Sequence, residues 1–272
     1  MKQVTATVVS NKGILPRGPH RTGWALASKL IQLHCPKIEK AKPGQFVMVR
    51  CGEECVLPRP FSIHGANGDD IAIFYAVLER GKGTQWLADR KKGDTVELVG
   101  PLGKNGFSIS PRAKNLLLVA GGMGLAPLCF LAQQAVRGKL SVTLLLGVAQ
   151  GPLYNERPGN LLPPRIKVFT ASENPKDRDS VDEIGRVTEF IPEYIDWADQ
   201  IFACGPVSMY KAMAQIPELE AKPVQISLEV RMGCGRGVCY GCTIKTRSGL
   251  KQVCQHGPVF DMADILWDEL DY

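Results

Sequence analysis

Residues 115–127 read NLLLVAGGMGLAP, and an apolar, helix-like stretch runs from Pro127 to Arg137. The run LLLVA predicts a buried strand, and the glycines that follow predict a turn into a helix. A helix that begins directly after such a turn presents free backbone N–H groups, which can bind phosphate. The pattern is Gly-Gly-x-Gly-x-x-Pro rather than Gly-x-Gly-x-x-Gly, so only the strand-to-helix context makes it a candidate dinucleotide site.

Downstream, strand-like and helix-like segments alternate. Residues 141–149, 165–171 and 200–204 predict strands, and residues 187–194 predict a helix. This alternation predicts a doubly wound parallel sheet with helices on both faces. The last strand runs into Cys204-Gly205-Pro206, a second loop expected at the carboxyl edge of the sheet. Cys204 is interpreted as either a small packing residue or a border of the nicotinamide pocket, and not as a nucleophile. The candidate nicotinamide-binding residues are Gly121, Gly122, Gly124, Cys204, Gly205 and Pro206.

Upstream of residue 111, short apolar runs are separated by Gly and Pro, which predicts a small antiparallel β-barrel. Within it, Arg59-Pro60-Phe61-Ser62 places a guanidinium and a hydroxyl on one strand. Such groups suit the pyrophosphate and ring of a flavin dinucleotide, although an ordinary edge strand also carries an arginine. A later strand, residues 74–78, runs into Gly81-Lys82-Gly83-Thr84, a turn that can cradle phosphate.

Near the C-terminus, Cys234, Cys239, Cys242 and Cys254 follow the spacing C-x4-C-x2-C-x11-C in a glycine-rich loop. With nine Cys in 272 residues, the 21-residue span from Cys234 to Cys254 should hold fewer than one by chance. The spacing is that of a plant-type [2Fe–2S] cluster, with three thiolates from one loop and a fourth further on. A structural zinc site is the alternative, but zinc usually takes two separated C-x2-C knuckles.

Bulk properties exclude several function classes. The formal net charge is +6, yet Lys and Arg are scattered, so we expect no nucleic-acid partner. The longest apolar runs fall far short of the roughly 18 residues of a membrane span, so we expect no membrane association. The N-terminal residues MKQVTATVVS lack the apolar core of a signal peptide. With a thiolate-ligated cluster that oxidation would damage, these features predict a cytoplasmic protein.

The motifs RPFSI, GKGT, GGMGLAP, CGP and the four-cysteine loop, in this order over nearly the whole chain, resemble the ferredoxin–NADP reductase superfamily. More narrowly, the chain is similar to the electron-transfer subunits of NAD-dependent, heteromeric dihydroorotate dehydrogenases, above all in CYGCTIKT and VCQHGPVFD. Related NADPH:ferredoxin transhydrogenase subunits commonly carry Asp at the first ligand position, where this chain has Cys234. The resemblance implies an FAD-binding β-barrel domain at 1–111, an NAD-binding α/β domain at 112–223 and a [2Fe–2S] module at 224–272.

The same resemblance implies the residues that hold each cofactor. The four cysteines would ligate the cluster, and the second-domain loops would bind NAD. The FAD-binding residues would be Arg59, Pro60, Phe61, Ser62, Ala76, Val77, Leu78, Gly83 and Thr84. The implied function is an oxidoreductase subunit of de novo pyrimidine (UMP) biosynthesis. It passes electrons from an FMN-containing catalytic partner, through [2Fe–2S] and FAD, to NAD+, and we expect a heterotetramer.

Other functions stay open at this point. The chain could serve another NAD(P)H-linked complex, of the sulfide dehydrogenase, hydrogenase, sulfite reductase or transhydrogenase type, or be a zinc-stabilised nucleotide-binding regulator without redox turnover. Lys176, Arg178 and Arg186 in the charged loop 174–186 raise the possibility of NADP, but NAD is preferred. Cys35, Cys51 and Cys55 are expected to pack rather than to form a second metal site. The four His are dispersed, so no catalytic acid or base is assigned.

Overall fold

The computed structural model describes residues 2–15, 25–36, 38, 40–149 and 161–270. Seven strands of the N-terminal part form one antiparallel sheet, which confirms the predicted β-barrel fold class. In space they run β4-β3-β7-β1-β2-β6-β5. The strands are β1 (Lys2–Leu15), β2 (Ala25–His34), β3 (Phe46–Val49), β4 (Arg59–Ser62), β5 (Gly65–Asn67), β6 (Asp70–Leu78) and β7 (Thr95–Leu102).

The sheet curls around its own apolar core. Side chains along β6 alternate between buried and less buried positions, as expected of a strand with one face inside. Phe61 of β4 meets Tyr75 of β6 edge to face, with ring centroids 5.7 Å apart, although the two strands are not neighbours in the sheet. After β6 the chain turns into α1 (Lys82–Ala88), whose Leu87 is fully buried in the same core.

Most of the remaining strands form a second sheet in the order β11-β10-β9-β8-β12-β13-β16, parallel except for β16. A separate hairpin, β14 with β15, lies between β13 and β16 in the chain. The strands are β8 (Asn115–Gly121), β9 (Ser141–Val148), β10 (Lys167–Ser172), β11 (Glu183–Ile184), β12 (Gln200–Cys204), β13 (Val224–Ser227), β14 (Thr243–Thr246), β15 (Gly249–Gln252) and β16 (Val259–Asp261).

Helices cover this sheet. The longest of those described, α2 (Leu125–Arg137), begins two residues before the predicted start and buries an apolar face against β8 and β9. The others are α3 (Pro192–Ile195), α4 (Val207–Met213) and α5 (Val253–His256), together with 3₁₀ turns at Gly122–Gly124, Pro175–Asp177, Val187–Phe190, Pro217–Ala221, Met262–Asp264 and Trp267–Glu269. No helix among the described residues is long and apolar enough to cross a membrane.

The prediction of one continuous helix at 187–194 is wrong. The structure has a 3₁₀ turn over Val187–Phe190 and then the short helix α3, which begins at Pro192. Proline lacks an N–H and crowds the residue before it, so it is accommodated at the start of a helix rather than inside one.

The strand order contains a topological switch point. From β8 the chain moves outward through β9 and β10 to β11, then returns to place β12 and β13 on the other side of β8. In open α/β sheets, ligands bind at the carboxyl ends of the strands where the order reverses. Here that place lies between the ends of β8 and β12, which are the two predicted loops.

Candidate cofactor sites

The two predicted nicotinamide loops are in direct contact. Cys204 of β12 lies beside Ala120 of β8 in the parallel register. A Cβ on Gly124 would lie 1.8 Å from the carbonyl oxygen of Cys204, and a Cβ on Gly121 would lie 2.6 Å from Cδ of Pro206. No side chain fits at either position, so the backbones of the two loops approach as closely as glycine allows.

A buried tyrosine holds the second loop in place. The backbone N–H of Gly205 donates to the hydroxyl of Tyr210 at 2.9 Å, and that hydroxyl donates to the carbonyl of Ser227 at 2.7 Å. Tyr210 is fully buried in α4. No sequence motif points to Tyr210, because its partner Ser227 lies on another strand and no local spacing reveals the contact.

Cys204 is buried beneath the same crevice. Its thiol donates weakly to the Ser227 carbonyl at 3.6 Å, and burial raises its pKa to about 12. A thiol with so high a pKa carries little thiolate at neutral pH. Cys204 is therefore a packing residue at the wall of the crevice, in line with the expectation that it is not a nucleophile.

The predicted flavin segments meet at the edge of the barrel. Arg59 is exposed on β4, and its guanidinium donates to the carbonyl of Leu57 at 2.7 Å. A Cβ on Gly83 would lie 3.2 Å from Cγ of Arg59, so the start of α1 lies against the stem of this arginine. No acidic residue occupies the first turn of α1. A cationic side chain beside a glycine without steric bulk fits a diphosphate.

Thr84 connects α1 to the end of β6. Its hydroxyl accepts from the N–H of Leu78 at 3.0 Å and donates to the carbonyl of Gly81 at 3.1 Å. Ala76 and Leu78 on β6 are half-buried, whereas Val77 points into the barrel core. The structure thus brings six of the predicted positions to one edge of the barrel: Arg59, Ala76, Leu78, Gly83, Thr84 and, next to Arg59, Pro60.

The four predicted cluster ligands form two pairs. The thiol of Cys242 lies 3.2 Å from that of Cys254. The backbone N–H of Cys239 donates to the sulfur of Cys234 at 3.4 Å, as does that of Arg236 at 3.3 Å. A two-iron cluster takes two protein ligands on each iron, so two pairs fit it. Among the described residues, no group of three or more His, Cys, Asp or Glu side chains is arranged around a point suited to one metal ion.

Backbone donors favour a thiolate at the first ligand. Burial raises the pKa of Cys234, but the N–H groups of Arg236, Cys239 and Val238 outweigh burial and lower it below the usual range. At Cys254 the balance is reversed, because burial and the neighbouring thiol of Cys242 raise the pKa. A hydrogen bond to sulfur stabilises the charged ligand. The backbone of the loop therefore favours negative charge on the sulfur of Cys234.

The cysteine loop packs directly on the barrel. A Cβ on Gly235 would lie 2.5 Å from Cγ of Met48, which is buried on β3, and 3.4 Å from Leu102 on β7. Met48 pairs with Pro60 of β4 in the antiparallel register. The cysteine loop thus packs on β3, the strand that neighbours β4 and its Arg59.

The other cysteines of the barrel are packing residues. Cys35 and Cys51 are buried, and burial raises the pKa of each to about 12. Their thiols lie 3.7 Å and 3.6 Å from the carbonyls of Leu33 and Val49, respectively. Both side chains belong to the apolar core of the barrel, as does Cys55.

The charged loop after β10 is held by its own residues. Ser172 hydrogen-bonds the carboxylate of Asp177, which is buried, and Arg186 pairs with Glu173 at 3.3 Å. Arg186 therefore already has an anionic partner. This arrangement weakens the case for a 2′-phosphate site.

Residues 229–266 match the family model of the iron–sulfur cluster binding domain of dihydroorotate dehydrogenase B. The chain is 37% identical over 235 residues to the dihydroorotate dehydrogenase B (NAD(+)) electron transfer subunit of Caldanaerobacter subterraneus subsp. tengcongensis, covering 85% of this chain and 90% of that protein. It is 33% identical over 267 residues to the Bacillus caldolyticus subunit of the same name, covering 96% and 97%. The chain belongs to this family of electron transfer subunits.

A solved structure of an NADH-dependent reduced ferredoxin–NADP oxidoreductase, described for flavin-based electron bifurcation, superposes with a TM-score of 0.79 at 26% identity, covering 97% of this chain and 91% of that one. The predicted fold class and the predicted redox subunit are both confirmed. The family decides against the zinc-stabilised regulator and the other complexes, and it implies a catalytic partner subunit. The iron–sulfur domain and the reductase fold support FAD, [2Fe–2S] and NAD as the cofactors of this electron transfer subunit.

Proposed function

We propose that this chain transfers electrons from a partner subunit that oxidises dihydroorotate on FMN, through its own [2Fe–2S] cluster and FAD, to NAD+, as a step of pyrimidine biosynthesis in the cytoplasm. Nicotinamide exchanges two electrons as a hydride, an iron–sulfur cluster exchanges single electrons, and a flavin does both. The observation that carries the proposal is the packing of the cysteine loop on β3, next to β4.

At the flavin site, Arg59 supplies a positive charge at the pyrophosphate, and Gly83 leaves room for it. Thr84 fixes the turn from β6 into α1, while Pro60, Phe61 and Ser62 continue the strand toward the flavin ring. The remaining flavin contacts come from Ala76 and Leu78 at the end of β6, while Val77 between them offers only its backbone because its side chain is buried in the barrel core. This assignment rests on the meeting of these segments at one edge of the barrel.

At the nicotinamide site, Gly121, Gly122 and Gly124 open the start of α2 to the pyrophosphate of NAD. The loop Cys204-Gly205-Pro206, held by Tyr210, forms the other wall of the crevice. Both loops lie at the switch point of the sheet, where α/β proteins bind nucleotides.

At the cluster site, Cys234 and Cys239 as one pair and Cys242 and Cys254 as the other would hold the [2Fe–2S] cluster, which would exchange single electrons. The loop exposes Val238 (75% of its surface) and Tyr240 (69%) to solvent. Exposed apolar and aromatic side chains of this kind favour protein contact. We place the FMN subunit on this face. The complex would be a heterotetramer with two copies of each subunit.

Co-expression with the catalytic subunit tests the function. The purified complex should contain FAD, FMN, iron and acid-labile sulfide, and should form orotate from dihydroorotate with reduction of NAD+. Light scattering should give the mass of a heterotetramer. A complex that forms orotate with an artificial acceptor but never with NAD+ or NADP+ would contradict the electron route proposed for this chain.

A further inference from the structure

Two glutamines on either side of Cys254 hydrogen-bond to the backbone of the cysteine loop. The side-chain amide of Gln252 donates to the carbonyl of Gly237 at 3.0 Å, and that of Gln255 donates to the carbonyl of Arg236 at 2.9 Å. These carbonyls belong to two successive peptide groups. Gly237 itself has a φ of +77°, and a Cβ there would lie 2.2 Å from Cγ of Gln255. Only glycine allows the chain to pass beneath this glutamine.

The geometry of a trans peptide then fixes where the two N–H groups point. In a planar trans peptide the C=O and N–H of the same group point in opposite directions. Because the carbonyls of Arg236 and Gly237 face the glutamines, the N–H groups of Gly237 and Val238 point away from the glutamines. On that side the Gly237 N–H lies near the sulfur of Cys254 and the Val238 N–H near that of Cys234. Each pair of cysteines thus receives one of these donors.

We propose that Gln252 and Gln255 are positioning residues that aim one backbone N–H at each cysteine pair and thereby raise the reduction potential of the cluster. The inference rests on the ligand assignment proposed above. Reduction adds negative charge, which spreads onto the sulfurs, and an N–H donor stabilises that charge more strongly than the charge of the oxidised state. Removing a glutamine frees the peptide to rotate and weakens the donor. The reduced state then loses more hydrogen-bond stabilisation than the oxidised state, and the reduction potential falls.

The test is the midpoint potential of the cluster in Gln252→Met and Gln255→Met, followed by EPR in the complete complex with the catalytic subunit. Methionine keeps the length of the side chain, adds no charge and removes the amide donor. We expect each midpoint to move to more negative values. At the wild-type midpoint, the ratio of reduced to oxidised cluster should fall by about tenfold, equivalent to about 59 mV for one electron. Exchangeable-proton couplings to the cluster should also weaken.

Controls distinguish a failure of the proposed glutamine role from misfolding and from a wrong ligand assignment. Gln215→Met, at an exposed position after α4, is the matched control and should leave the midpoint unchanged. Gln255 is also exposed, so its variant should fold even where Gln252→Met, at a buried position, loses its cluster. If Gln255→Met retains full iron and sulfide with an unshifted midpoint and unchanged couplings, the proposed role is overturned. A wild-type complex without any [2Fe–2S] signal would instead overturn the ligand assignment.

Discussion

Gly124 is the residue at which the nucleotide site tolerates least change. Its Cα lies so close to β12 that a Cβ would come within 1.8 Å of the Cys204 carbonyl oxygen and 2.9 Å of the Gly205 nitrogen. Both are backbone atoms, which cannot turn aside as a flexible side chain can. A methyl group here therefore forces β8 and β12 apart at the point where the two loops must meet.

For Gly124→Ala we expect a loss of about 1–3 kcal/mol of folding free energy, the usual cost of overpacking a close-packed interior. We also expect weaker NADH binding, because the loops move apart. Urea unfolding and a titration of NADH binding measure the two effects. Gly138→Ala, at the other end of α2, serves as control, since its Cβ would meet no atom closer than 3.3 Å. Equal behaviour of the two variants would contradict this account of the crevice.

At the scale of elements, α1 is placed by hydrogen bonds from its first turn to the end of β6. Besides the Thr84 hydroxyl, the side-chain amide of Gln85 donates to the carbonyls of Leu78 and Glu79 at 2.9 and 2.6 Å. The helix is only seven residues long, which is too short to be stable alone. Its position beside Arg59 therefore depends on these tertiary contacts.

Thr84→Val tests this dependence. Valine has the same shape but leaves the Leu78 N–H without the Thr84 hydroxyl, at a cost of about 1–3 kcal/mol. The Gly81 carbonyl keeps the backbone N–H of Gln85 as its donor. We expect a lower unfolding midpoint and less FAD retained per chain after desalting, measured by flavin absorbance. Thr84→Ser keeps the hydroxyl and should retain FAD much better than Thr84→Val. Similar FAD loss in both variants would show that the methyl group, not the hydroxyl, is what matters.

The positions of strands along the chain and the loops in which they end could be predicted from the sequence because both depend on local signals. Apolar runs of strand length and glycines at their ends located β8 and β12 to within a residue or two. The contact of Tyr210 with Ser227 and the addition of β16 to the second sheet could not be predicted in this way. Both contacts join segments that are far apart in the chain. The apolar periodicity of one segment does not indicate which distant segment it will contact.

At the scale of the whole molecule, the cofactor sites lie along a path set by packing between the parts. The cysteine loop packs on β3 through Met48, and β3 pairs with β4 of the flavin edge. On another side, Gly65, which begins β5, lies against Gln133 of α2, with the glutamine oxygen 3.1 Å from where a Cβ would be. The barrel therefore contacts both the cysteine loop and the nucleotide-binding part. This arrangement agrees with the middle position that the proposed electron route gives to the flavin.

His64 lies in this contact between the barrel and the nucleotide-binding part. It is 4% exposed and lies near the backbone of Ala126 in α2 and that of Leu161, and its Nδ1 has no hydrogen-bond partner among the residues that the structure describes. Burial lowers its pKa from 6.5 to about 4. The ring therefore stays neutral in the folded state at pH values where the unfolded chain binds a proton. Stability contributed by neutral His64 is present above about pH 6.5 and is lost as the pH falls toward 4.

Between about pH 7 and about pH 5, this group alone should lower the free energy of unfolding by about 2 kcal/mol. The phenyl ring in His64→Phe cannot take up a proton, so we expect the variant to lose that part of the pH dependence, whatever its stability at neutral pH. Urea unfolding midpoints across this pH range measure the slope. His34→Gln is the control, because His34 is half-exposed beside Asp70 and far less desolvated. If His64→Phe keeps the full wild-type slope, protonation of His64 does not govern the acid stability of the molecule.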